Sequence, residues 1–220
     1  MTIAARAWYG LTVVVVLVAL VVQIPITAST TGGFFTTPAG RVGNLFCYFT
    51  IMSNLLTAVV STVLAVRPTA RSTLVRVLRL DAVLAMAVTG VVYHTLLAPL
   101  YDFEGAARFA DILWHTVSPL LTVIGWLLFG PRGWLDRRTV AWSLAYPLAW
   151  LSFALVRGAL IGWYPYPFID VGVLGYPQVL LNAVGITVLF LVLALLVGFL
   201  DRWLPDRAGV ARAPAAPLGG

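Results

Sequence analysis

Lysine is absent from this sequence of 220 residues, cysteine occurs once and histidine twice, and charged side chains make up only 10%. A single cysteine, Cys47, forms no internal disulfide, so nothing about redox compartment follows from it. So few charges cannot clothe the surface of a water-soluble domain. The apolar residues show no alternation of period two, which excludes the strands of a membrane β-barrel, and no internal repeat is visible.

In place of these, 61% of the residues are hydrophobic and the mean hydropathy is +0.97. The apolar residues fall in six blocks, approximately 8–26, 45–66, 80–97, 109–129, 140–161 and 179–200. Each is long enough as a helix to cross a hydrocarbon core of roughly 30 Å. The expected fold class is all-α: a polytopic membrane protein with one bundle of six transmembrane helices. The first block has about the length of a full span. A signal peptide cleaved near Ala28 is the weaker alternative, because its apolar core is usually only ~7–15 residues.

The net charge of +6 comes entirely from arginine over acid. Eleven of the fourteen arginines (6, 67, 71, 76, 79, 132, 137, 138, 202, 207 and 212) fall on one side of the six blocks. Arg41, Arg108 and Arg157 fall on the other. Such asymmetry reports topology, with both termini cytoplasmic in the cell membrane, rather than a nucleic-acid partner. The segment from Arg67 to Arg79 alternates arginine with Leu and Val, and either lies along anionic headgroups or simply fixes orientation. The tail 206–220 has the composition of a disordered segment. Trp163-Tyr164-Pro165-Tyr166-Pro167-Phe168 has the composition of an interfacial aromatic belt or of a cap over a pocket.

Polar groups are costly in hydrocarbon, so their positions carry the functional signal. Thr50, Ser53, Asn54 and Thr57 share one face of the second block, and Asp111, His115, Ser118 and Thr122 share one face of the fourth. His94 in the third block, Arg157 in the fifth and Asn182 in the sixth come at similar depth, within roughly 10 Å of the outer boundary at the helical rise. The inner halves read as nearly pure Leu, Val, Ala and Ile. Together these positions predict a polar pocket open toward the outer leaflet; interhelical hydrogen bonding is the competing explanation.

A hydroxyl facing an imidazole is the minimum for nucleophilic acyl transfer, and Thr50 and His115 are the candidates. Asp111, four residues before His115, either orients the ring or caps its helix. Arg157 either binds a substrate carboxylate or snorkels to headgroups. His94 is a supporting partner or a packed side chain, and Asn182 an oxyanion donor or a helix contact. No metal or other cofactor is expected for this chemistry. A transporter of a small anion or lipid, and a haem or quinone protein using both histidines, are the competing functions.

The stretches Phe46-Cys47-Tyr48-Phe49-Thr50-Ile51-Met52-Ser53-Asn54-Leu55 and Trp114-His115-Thr116-Val117-Ser118-Pro119 resemble helices of the androgen-induced membrane hydrolase family. They also resemble a group of bacterial six-helix membrane proteins of unassigned function. The first family's members are threonine hydrolases of fatty acid esters of hydroxy fatty acids. The resemblance implies Thr50 as nucleophile, His115 as its histidine, and membrane lipid or a fatty-acid-like ester as partner. Oligomeric state is not legible.

Overall fold

The structure is a computed structural model and describes residues 2–67, 70, 72–130, 132–133 and 135–204. Arg71, Arg207, Arg212 and the expected disordered tail lie outside the described residues. Among the described residues the chain is helical throughout its regular structure. Six helices are long and apolar enough to cross a membrane: α1 (Ile3–Ser29), α3 (Phe49–Val66), α4 (Thr73–Leu100), α5 (Gly105–Phe129), α6 (Arg137–Ile161) and α7 (Val171–Trp203). A short helix, α2 (Pro38–Leu45), precedes α3.

The helices overrun the apolar blocks because their ends are set by caps rather than by hydropathy. The side chains of Ser72 and Asp136 accept the N–H groups of Val75 and Thr139, so α4 and α6 begin up to seven residues before the blocks at 80 and 140, whereas Asp170 caps only a first turn of α7 that a kink at Gly175 (φ 73°) separates from the rest of the span. Arg76 and Arg79 therefore belong to α4 rather than to a loop extending to residue 79. The second block divides instead: α2 ends at Leu45, Phe46 to Tyr48 break the helix, and α3 starts afresh at Phe49. The break puts Thr50 in the first turn of a helix.

The buried helix is α4, which packs against α3, α5, α6 and α7, while α1 lies against α3 and α5. Leu84, Ala85 and Met86 of α4 are wholly enclosed. The outer helices turn apolar side chains outward, with Val21 70%, Leu181 64% and Leu195 72% exposed. An apolar surface of that extent suits lipid rather than water, so the fold is that of a multi-pass membrane bundle.

Two spans contain a π-helical turn, Tyr93–Leu97 in α4 and Leu113–Val117 in α5. Both precede a proline, Pro99 and Pro119. A proline has no N–H to give and its ring crowds the carbonyl four residues back. The chain takes up an extra residue instead, and the N–H groups of Ala98 and Ser118 bond the carbonyls of Tyr93 and Leu113, five residues back. Each π turn contains one of the two histidines, and such turns recur at functional sites.

The inner halves are less purely apolar than expected. Asp81, Arg132 and Asp201 are each 2% exposed near the end of the bundle where α1 begins and α7 ends, and Thr57 and Ser61 are buried above them. These charges stand at the edges of the apolar blocks in sequence, but the helices continue past those edges and enclose them.

Candidate active site

Thr50 occupies the first turn of α3, whose N-cap residue, Tyr48, provides no side-chain hydrogen bond. The cap comes instead from the distant segment between α6 and α7. The Tyr166 hydroxyl oxygen accepts the Thr50 N–H at 3.2 Å and lies 3.3 Å from Thr50 Oγ1, with the Phe49 N–H also directed at it. Edge-on contacts with Tyr48 and a parallel stack on Phe168 fix the Tyr166 ring. Burial pushes its pKa up, against the pull of the Thr50 and Phe49 hydrogen bonds, so the hydroxyl is protonated at neutral pH.

One turn further along α3, Asn54 is completely buried and ties α3 to α5. Its amide nitrogen donates to the carbonyls of Thr50, at 2.8 Å, and Trp114, at 3.4 Å, and its amide oxygen accepts the Ser118 hydroxyl. Each such bond between membrane helices is worth only about 0.6 kcal/mol on average, so the latch serves more to fix position than to add stability. Ser53, likewise fully buried, meets the Tyr146 hydroxyl at 3.0 Å and joins α3 to α6. Neither amide nor serine lines the cavity described below.

His115 is half-buried, and its Nδ1 lies 2.8 Å from Asp111 Oδ1. Asp111 is well inside α5, which starts at Gly105, so it orients the ring and does not cap the helix. With the proton on Nδ1 directed at the carboxylate, Nε2 keeps its lone pair and is left as the acceptor. The Tyr93 ring stacks on the imidazole at 3.7 Å with an interplanar angle of 5°, and its hydroxyl also bonds Asp111. Tyr93 is presented by the π turn in α4 and His115 by the one in α5.

Two cavities converge on these groups. The outer one, about 410 Å³, sits at the end opposite the start of α1 and the end of α7 and is lined by Thr50, Asp111, His115 and Tyr166 together with aromatic loop residues. The deep one, about 140 Å³, runs along α4 between α6 and α7 and is walled by Val88, Leu148, Ile186 and Phe190. Thr50, Tyr93, Leu97 and Tyr166 line both. The outer chamber, the more polar of the two, thus adjoins an apolar one, with a hydroxyl and a protonated phenol at the junction. No family model, curated protein or solved structure matches this chain.

The remaining expected residues are placed elsewhere. His94 is exposed, bonds Thr116 Oγ1 at 3.1 Å and does not line either cavity. Arg157 stands behind the outer cavity's wall: its guanidinium donates to Asn44 Oδ1 at 2.9 Å and lies over Phe35 and Trp163. Asn182 donates to the Phe168 carbonyl at 2.8 Å and accepts from Gln178, which pins α7 to the loop carrying Tyr166. These three act on the frame of the site rather than inside it.

Arg41 is the guanidinium on the cavity wall, where it donates to the carbonyls of Ala28, Phe35 and Thr36 and holds the loop after α1 in place. Among the described residues no group of three or more metal-ligating side chains occurs. Nor does a hydrogen bond join Thr50 to His115. Both line the outer cavity.

Proposed function

We propose that the protein is an intramembrane hydrolase of fatty-acyl esters, working in the cell membrane with Thr50 as nucleophile and His115 as base. The observation that carries this reading is the junction of the two cavities at Thr50. An ester of a long-chain acid has an apolar arm suited to the deep cavity and a polar arm suited to the outer one, and its carbonyl then lies beside Thr50. The resemblance of the segments around Thr50 and His115 to the androgen-induced membrane hydrolase family supports the same assignment.

In the first half-reaction Thr50 Oγ1 attacks the carbonyl carbon, and its proton passes to His115 Nε2, directly or through one water. Asp111 stabilises the imidazolium and holds the tautomer. The tetrahedral intermediate collapses, the C–O bond to the alcohol breaks, and the alcohol leaves with the proton from His115. Water then attacks the acyl-threonine, again deprotonated by His115, and the free acid and Thr50 are regenerated. A fluorophosphonate probe in detergent is expected to label the wild type but neither Thr50→Ala nor His115→Ala; labelling that persists in Thr50→Ala overturns the nucleophile assignment.

Both termini are cytoplasmic in this account, because the arginines gather at their end of the bundle. The active site then faces the outer leaflet. A fluorescent protein fused to the C-terminus is expected to fluoresce and alkaline phosphatase fused there to stay inactive; the reverse pattern contradicts the orientation.

A second reading, transport, draws on a small cavity of about 20 Å³ near the termini, lined by Tyr9, Thr12, Thr57, Ser61 and Arg79 among others. That cavity shares no lining residue with the other two, and the Asn54–Ser118 hydrogen bond closes the gap between Thr50 and Thr57. Hydrolysis suits this sealed arrangement better.

A further inference from the structure

We propose that Tyr166 is a catalytic residue, whose hydroxyl hydrogen stabilises the oxyanion that forms when Thr50 attacks. This inference rests on the hydrolase reading and extends it to a residue that neither the sequence pattern nor the resemblance singles out.

The hydroxyl has one hydrogen and two lone pairs. The N–H groups of Thr50 and Phe49 are directed at its oxygen, and their engagement leaves the hydrogen as the group's remaining function. In the resting site the partner within reach of that hydrogen is Thr50 Oγ1, at 3.3 Å. A hydrogen bond donated to Oγ1 leaves the threonine's own proton free to move toward His115.

The first turn of α3 polarises the phenol as well. The N–H groups that it directs at the tyrosine oxygen, together with the helix dipole, place positive potential there, which strengthens the O–H as a donor. When Oγ1 bonds to the carbonyl carbon, the former carbonyl oxygen and Oγ1 become substituents of one tetrahedral atom. The C=O π pair moves onto the former carbonyl oxygen, which carries the negative charge and is a stronger acceptor than the now ether-like Oγ1. A small rotation about the phenol C–O bond transfers the hydrogen bond from one to the other. No proton leaves Tyr166, so the step balances with the proton on His115 and the charge on the oxyanion.

The position is held for this task. Tyr48, Trp150 and Phe168 enclose the ring, Asn182 anchors the Phe168 carbonyl, and the hydroxyl reaches the seam where both cavities meet. The simpler role, a helix cap from a distant tyrosine, uses only the oxygen. It makes a different prediction at high pH, because a phenolate caps N–H groups at least as well as a phenol but has no hydrogen to donate.

The test compares kcat and KM for a long-chain nitrophenyl ester, per folded protein in detergent, among wild type, Thr50→Ala, Tyr166→Phe and a protein carrying ring-fluorinated tyrosine at position 166. Tyr166→Phe is expected to lower kcat by about 10²-fold, the usual effect of losing one oxyanion donor, with KM nearly unchanged. Fluorination keeps the cap but makes the phenol more acidic, so the alkaline fall in kcat moves to lower pH. A Tyr166→Phe protein whose kcat stays within about threefold of wild type, or an alkaline limb that fluorination does not move, overturns the proposal and leaves the Thr50 assignment standing. Activity that survives intact in Thr50→Ala overturns both.

Discussion

His115→Ala is expected to lower ester turnover by about 10²- to 10⁴-fold, the range that a positioned general base contributes. Asp111→Asn is expected to do nearly as much damage while preserving the fold. Asp111 Oδ1 meets His115 Nδ1 at 2.8 Å, and that contact keeps the proton on Nδ1 and the lone pair on Nε2. An amide in place of the carboxylate directs an N–H at Nδ1 and favours the opposite tautomer, in which Nε2 is protonated and cannot accept the threonine proton. Steady-state kcat/KM for both variants, alongside unchanged helical content by circular dichroism, measures this. A fully active Asp111→Asn enzyme would remove the carboxylate from the mechanism.

Filling the deep cavity is expected to change substrate choice rather than abolish activity. Ala183 lines that cavity from α7, beside Ile186, Thr187 and Phe190. Ala183→Trp puts an indole where the acyl chain is placed by this account. Each methylene displaced from an apolar site forfeits about 0.8 kcal/mol, so expelling three or four from contact lowers kcat/KM for a long-chain ester on the order of 10²-fold. Short esters, which do not reach past Thr50 and Tyr93, retain near wild-type rates. Measured kcat/KM against acyl chain length gives the comparison, and an unchanged chain-length profile would mean that the chain lies elsewhere.

The number and approximate place of the spans were legible because hydropathy is summed along the chain, and α1 and α7 expose the runs that define them. Their ends were not. Ser72, Asp136 and Asp170 start helices by capping, a local hydrogen bond to which a hydropathy sum is blind. The same blindness hid the inner-end charges Asp81 and Asp201, which look like boundary residues until the helices enclose them.

Within the site, Thr50, Asn54, Asp111, His115 and Ser118 could be picked out as polar residues at helical spacing in apolar runs. His94, Arg157 and Asn182 were matched by depth alone, and depth does not give the direction in which a side chain points. The extra residue in each π turn rotates the helix beyond it relative to a regular wheel, so spacing rules fail around Tyr93 and His94. Tyr166 lay in an aromatic loop that composition could equally assign to the membrane interface. Its role depends on a contact across 116 residues of sequence, which no local pattern encodes.

The most direct measurement is the mass of the covalent intermediate. The protein is mixed with a slowly deacylating long-chain ester, quenched in acid, digested, and the acyl group located by tandem mass spectrometry. The account predicts an acyl group on Thr50, with none in Thr50→Ala. An acyl group on any other residue, or rapid turnover with Thr50 never acylated, would contradict it.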